Sequence, residues 1–170
     1  DPMSVHCELE PVYLVGDFDV LPLSKGWLLA TSGERSIGSW KDTGMPFYSD
    51  RVEYTATFEL DQPALARVVL PDWHGTVAAV SVNGDHAGTI FTQPWQLRID
   101  KYVKKGSNEL TVTVSGSLKN LLGPHHNVTT QGIVTPWSFK YAPAEQPGGT
   151  EYDLVDYGLF EPFRVEVIEK

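Results

Sequence analysis

Two short stretches carry the side chains that recognition of a hydroxylated ligand requires. Asp72-Trp73-His74-Gly75 sets an indole between a carboxylate and an imidazole, with a glycine that lets a ligand approach the backbone. His125-His126-Asn127 follows Gly123-Pro124 and reads as a loop, with Trp137 and Tyr141 downstream. An aromatic plane packs on the apolar C–H face of a sugar ring, while Asp, Asn and neutral His offer directional donors and acceptors to its hydroxyls. Asp72, Trp73, His74, His125, His126, Asn127, Trp137 and Tyr141 are therefore the candidate ligand contacts. Packing is the competing use for each aromatic, and Trp40 and Trp95, which stand beside strand starts, are expected in the core.

Other chemistries find less support. Adjacent histidines point their rings in different directions, whereas zinc sites use spacings such as H-x₃₋₅-H, so no metal site is expected at His125 and His126. A glycosidase needs two carboxylates at a fixed separation across the scissile bond. Asp17, Asp19, Asp50, Asp72, Glu151, Asp153, Asp156 and Glu161 are scattered and form no such motif, so the chain is not expected to be an enzyme by itself. Asp17-x-Asp19 and Glu8-x-Glu10 could offer oxygen ligands to calcium, although alternating acids also discourage edge pairing of strands. No glycine-rich phosphate loop occurs, and Cys7 has no identifiable base to activate it. Asn127-Val128-Thr129 fits the glycosylation sequon, which matters only in a eukaryotic secretory host.

Composition narrows the partners. A formal net charge of -9 over 170 residues leaves no basic stripe for a phosphate backbone and disfavours anionic membranes. Lys101, Lys104 and Lys105 form the one basic cluster and read as a solvated turn. A single cysteine excludes an intramolecular disulfide and decides nothing about export. No run approaches the ~18 apolar residues of a membrane span, and the first residues show no charged-then-apolar signal region. The length suits one domain over residues 1–170, and Asp1-Pro2-Met3 suggests a piece cut from a longer chain.

The elements that must position these loops are strands. Asn83-Gly84 supplies the positive φ of a type I′ turn between a strand with Val80 and Val82 and another with Ala87 and Ile90. Pro94-Trp95 leads into a third run at 96–99, and Gly106-Ser107-Asn108 turns into a fourth where Leu110, Val112 and Val114 alternate with Thr111, Thr113 and Ser115. Over 51–60, Val52, Tyr54, Ala56, Phe58 and Leu60 form one apolar face opposite Arg51, Glu53, Thr55, Thr57 and Glu59. Strands are also expected at 10–18, around Trp27, at 66–70 and around Val165. Residues 116–149 lack periodicity, and a loop that long is either functional or a run of short elements that the pattern does not reveal. The sum is about eight or nine strands with no helix, an all-β antiparallel β-sandwich of jelly-roll type.

The series VSVNGDHAG, PWQLRID and KKGSNELTVTV, together with Trp40, Gly44, Tyr48 and Tyr54 in W-x-x-x-G-x-x-x-Y, resembles the galactose-binding-like jelly-roll domain that accompanies family 2 and rhamnosidase-type bacterial glycoside hydrolases. The resemblance implies a non-catalytic carbohydrate-binding module of a secreted or periplasmic enzyme, whose catalytic residues lie in a separate barrel domain. Its partners would be a carbohydrate ligand and that catalytic domain, with neither nucleic acid nor membrane. Related modules hold a structural calcium near the first and last strands, which would recruit Glu166; no other cofactor is implied. A structural domain that packs against the barrel and binds no sugar is the alternative.

Overall fold

A computed structural model describes residues 12–62, 64–126, 138–139 and 143–168. Of the candidate contacts, Asn127, Trp137 and Tyr141 lie outside the described residues. The described chain is nearly all β, with eleven strands and three short helical turns at Trp40–Thr43, Lys119–Leu122 and Gly149–Glu151.

Two sheets form the body. In the first, β3 (Arg51–Leu60), β9 (Gly106–Ser115), β6 (Val77–Val82) and β7 (Asp85–Ile90) lie side by side in that order, all antiparallel. In the second, β11 (Arg164–Val167), β4 (Ala66–Val69) and β8 (Gln96–Arg98) do the same. The alternation in the sequence sets the register. Tyr54, Val112 and Val80 stand opposite one another across three strands, as do Ala56, Leu110 and Val82. Of these, Tyr54, Val80, Val82, Leu110 and Val112 meet Ala66, Val68 and Leu70 in one core, the arrangement of a β-sandwich, while the small Ala56 stays exposed. Thr55 and Thr111 pair through their hydroxyls at 2.9 Å on the wet face.

The Asn83-Gly84 turn forms as expected, with φ of 53° and 88° and a two-residue loop between Val82 and Asp85. Both asparagines of this region do more than turn the chain. Asn108 lies inside β9 and is 1% exposed; its amide donates to the Lys104 and Gly106 carbonyls, and its Oδ1 accepts from Lys104 N and Asn83 Nδ2. Asn83 Nδ2 also donates to the Tyr102 carbonyl, and its Oδ1 accepts from Glu109 N at 3.1 Å. A buried amide is tolerated when all its polar valences are answered, and here they lock the hairpin to β9.

Two expectations change. The strand expected at 10–18 starts only at Phe18: β1 is Phe18–Pro22, and 12–17 is irregular with Val12 and Val15 exposed. Short helical turns occur where none was expected; two of the three are closed by glycines at positive φ, Gly44 and Gly123, and the third ends at Tyr152. Of the oxygen ligands offered to calcium, Asp19 and Glu166 are taken up in ion pairs. Asp19 is bound to Arg35 at 2.7 Å and to Gly33 N, Glu166 is bound to Arg67 at 2.7 Å on the other sheet, and no three acidic or imidazole side chains converge among the described residues. Glu8 and Glu10 lie outside the described residues. No described helix is long and apolar enough to cross a membrane.

Candidate functional site

Side chains from three separate parts of the chain meet at a cleft of about 260 Å³. Its walls are Pro22 and Trp27 from the hairpin of β1 and β2 (Trp27–Thr31), Lys41 and Asp42 from the first helical turn, and Gly149, Thr150, Tyr152 and Leu154 from the C-terminal part of the chain.

Local structure fixes each wall. Trp40 is buried and anchors the first turn; its indole donates to Tyr54 Oη at 2.9 Å, and Gly44 in the left-handed region lets Met45 N return to the Trp40 carbonyl. That leaves Lys41 and Asp42 on the outer side of the turn. The hairpin docks through Val20 N to Gly44 O, Gly26 N to Pro147 O and Gly149 N to Leu23 O, all between 2.8 and 2.9 Å. The Arg35–Asp19 pair ties the following loop to β1. On the far side, Asn120 is buried and exchanges two hydrogen bonds with the backbone of Val155, and Lys119 Nζ donates to the Asp153 and Pro124 carbonyls. Asp153 N then donates to the His125 carbonyl at 2.8 Å, which seats the histidine pair behind Tyr152.

Tyr152 is the hub. Its ring meets Trp27 edge-on at 5.3 Å, Phe47 at 6.0 Å, His125 at 5.8 Å and His126 at 4.8 Å, spacings typical of favourable aromatic pairs. His125 Nε2 lies 2.8 Å from the Asn120 carbonyl, so the neutral ring carries its proton on that nitrogen. Burial pushes the His125 pKa below the usual imidazole value. The Asn120 carbonyl works against that shift, while the charges of Lys119 and His126 add to it. The pair thus supports the aromatic wall, and His125 is held neutral there.

The second predicted stretch lies beside a short pairing of β5 (Trp73–His74) with β10 (Gly158–Leu159). Gly158 is required there: its φ is positive, and a Cβ would run into the Gly38 carbonyl. Trp73 packs edge-on against Trp95 at 5.4 Å and is 8% exposed, so its ring faces belong to the core and are closed to a ligand. Strand alternation puts His74 on the outside, against Phe160 at 4.7 Å, with Asp72 Oδ1 4.0 Å from its Nε2. Lys41 connects the two regions. Its ammonium, beside the cleft, pairs with Asp156 at 3.1 Å, and Asp156 is within electrostatic reach of His74. Burial works to raise the Asp156 pKa. The Ser39 hydroxyl beside it, which falls short of full hydrogen-bond geometry, and Lys41 outweigh burial and hold the carboxyl below its usual range.

Of the predicted contacts, then, His125 and His126 back the cleft, Asp72 and His74 lie on adjoining surface, and Trp73 is interior. Trp27, Lys41, Asp42, Thr150 and Tyr152 were missed. Two local signals could have found them: Trp40-Lys41-Asp42, a core aromatic followed by two charges on a tight turn, and Glu151-Tyr152-Asp153, an aromatic between two carboxylates after a glycine pair.

No family model matches the chain, and no curated protein matches it. Solved structures do. A rhamnosidase from Novosphingobium sp. PP1Y is similar over 95% of this chain and 16% of its own, with 21% identity and a TM-score of 0.55. A β-D-glucuronidase from Dictyoglomus thermophilum is similar over 89% of this chain and 26% of its own, with 17% identity and a TM-score of 0.45. A β-D-mannosidase from the same organism gives 94%, 23%, 13% and 0.40 for the same quantities. The chain therefore spans a small part of the glycosidases it is similar to, and what it shares with the rhamnosidase segment is the fold.

Proposed function

We propose that this chain is a non-catalytic, carbohydrate-binding β-sandwich module of galactose-binding-like type, belonging to a larger glycoside hydrolase that works outside the bacterial cytoplasm. The observation that carries the reading is the cleft, where two aromatic rings, Trp27 and Tyr152, stand beside the polar side chains of Lys41, Asp42 and Thr150. That is the composition a sugar needs, an apolar plane with directional polar groups around it. The fold shared with a segment of a rhamnosidase supports the assignment to this enzyme class. Catalysis belongs, on this reading, to another domain of the parent enzyme. One small site supports a Kd of about 10⁻³ to 10⁻⁵ M. Calorimetric titration against a polysaccharide and oligosaccharide panel tests it: heat that disappears in Trp27→Ala is expected, and no heat or electrophoretic retardation with any glycan overturns it.

A second reading has its own observation. Leu21, Leu23, Leu28 and Leu29 are exposed on one hairpin, an apolar surface of the kind that packs against another domain. A purely structural module would self-associate through it, and Leu21→Ser with Leu28→Ser would restore the monomer while no glycan binds wild type. Sedimentation of both proteins, run beside the calorimetry, separates the two readings.

A further inference from the structure

We infer that the cleft takes a single uncharged pyranose ring, gains little from further sugar units in a chain, and discriminates against uronates and sulfated sugars. This rests on the carbohydrate reading above and adds the ligand's length and charge.

Length follows from size. At about 260 Å³ the cleft falls below the ~300 Å³ at which pockets for drug-sized ligands begin. Pro22 and Trp27 bound one side and Tyr152 and Leu154 another, so the space is that of one ring laid against an aromatic wall.

Charge follows from the ion pairs. Lys41 is the one cationic residue in the cleft lining, and its ammonium is already answered by Asp156 at 3.1 Å. Asp42 lines the cleft and joins no ion pair among the described residues, and Glu151 is exposed on the turn that carries Thr150. A ligand carboxylate would meet an excess of negative charge with no unpaired cation to receive it. Like charges ~5 Å apart repel even in water, and two such neighbours weaken binding roughly tenfold. Hydroxyls have the opposite fate. Asp42 accepts from them, Thr150 donates or accepts, and the Lys41 ammonium keeps protons beyond the one turned to Asp156.

The test is an NMR titration of the ¹⁵N-labelled chain with epimeric neutral methyl hexopyranosides, the matching sodium uronates, and a tetrasaccharide of whichever sugar binds. Saturable shifts of the Trp27 indole and of the 149–154 amides with a neutral glycoside are expected, with uronates roughly tenfold weaker. The tetrasaccharide should bind within about threefold of the single ring. Asp42→Asn, an exposed change that leaves the core intact, should narrow the uronate discrimination to about threefold. Uronate binding as tight as the neutral sugar overturns the charge inference and leaves the carbohydrate reading standing. A tetrasaccharide more than tenfold tighter overturns the length inference alone. Saturable shifts confined to Asp72, His74 and Phe160 overturn the cleft as the site, and no shift with any sugar overturns the reading together with the inference.

Discussion

Tyr152→Ala is the sharpest test of how the cleft is built. The ring has four aromatic partners within 6.0 Å, contributed by three separate segments, so its removal takes one wall away and unseats His125, Phe47 and Trp27 together. Truncating a fully buried aromatic costs about 3–5 kcal/mol. Tyr152 is half-buried, so about 2 kcal/mol is expected, which at a urea slope near 2 kcal/mol/M moves the unfolding midpoint by about 1 M. Losing the stacking wall should also weaken the bound sugar at least tenfold. Tyr152→Phe is the control. Among the described residues its hydroxyl accepts only an exposed hydrogen bond from Gln146 Nε2 at 3.1 Å, so deletion should cost less than about 0.5 kcal/mol and leave affinity within threefold. Urea melts and glycan titrations on the three proteins suffice. A midpoint for Tyr152→Ala within 0.2 M of wild type would refute the hub. Equal loss of binding in both variants would refute stacking as the source of affinity.

Other consequences are independent of the ligand. Asn108→Ala strands the Lys104 amide and two carbonyls inside the protein and should cost about 3 kcal/mol, seen as a fall in Tm of about 6–12 °C; a fall under 2 °C would show that water replaces the amide. Tyr54→Phe removes the acceptor of both Trp40 Nε1 and Leu159 N and should cost about 1–3 kcal/mol by urea melts, with an unchanged midpoint counting against it. His125 has a folded pKa below its unfolded value, so the unfolded state binds its proton first. Stability is therefore flat above about pH 6.5 and falls as pH drops through that value toward the folded pKa. The fall between pH 7 and 5 should vanish in His125→Gln, and an NMR-measured His125 pKa above 6.5 would contradict it. Asp156 contributes in a separate acid window. Its depressed pKa stabilises the fold above the ordinary carboxyl value, and that part is lost only as pH falls below about 3.8.

The body of the sandwich was legible because strand register is a local property of period two. Once Val52, Tyr54, Phe58 and Leu60 alternate with charged and threonine positions, and Leu110, Val112 and Val114 do the same, one face of each strand turns to the core. The Asn83-Gly84 turn was equally local, since its chemistry resides in two adjacent residues. The extent of β1 was not legible, because Tyr13 to Val15 have strand-forming side chains but no partner strand to receive them among the described residues.

The cleft shows where local information ends. Trp73 carried every sequence mark of a ligand-stacking residue, yet one step along a strand decides between core and solvent, and the pairing of β5 with β10 turned Trp73 inward and His74 outward. Trp27 carried none of those marks, and Tyr152, although it stands between Glu151 and Asp153, was not singled out. They are brought together by the docking of the β1–β2 hairpin onto residues 147–149, a contact between segments more than a hundred residues apart whose bonds are all backbone to backbone. Backbone hydrogen bonds leave no trace in side-chain type, so the sequence specified the sandwich and the chemistry available to it, while tertiary docking alone chose which aromatics face each other across the cleft.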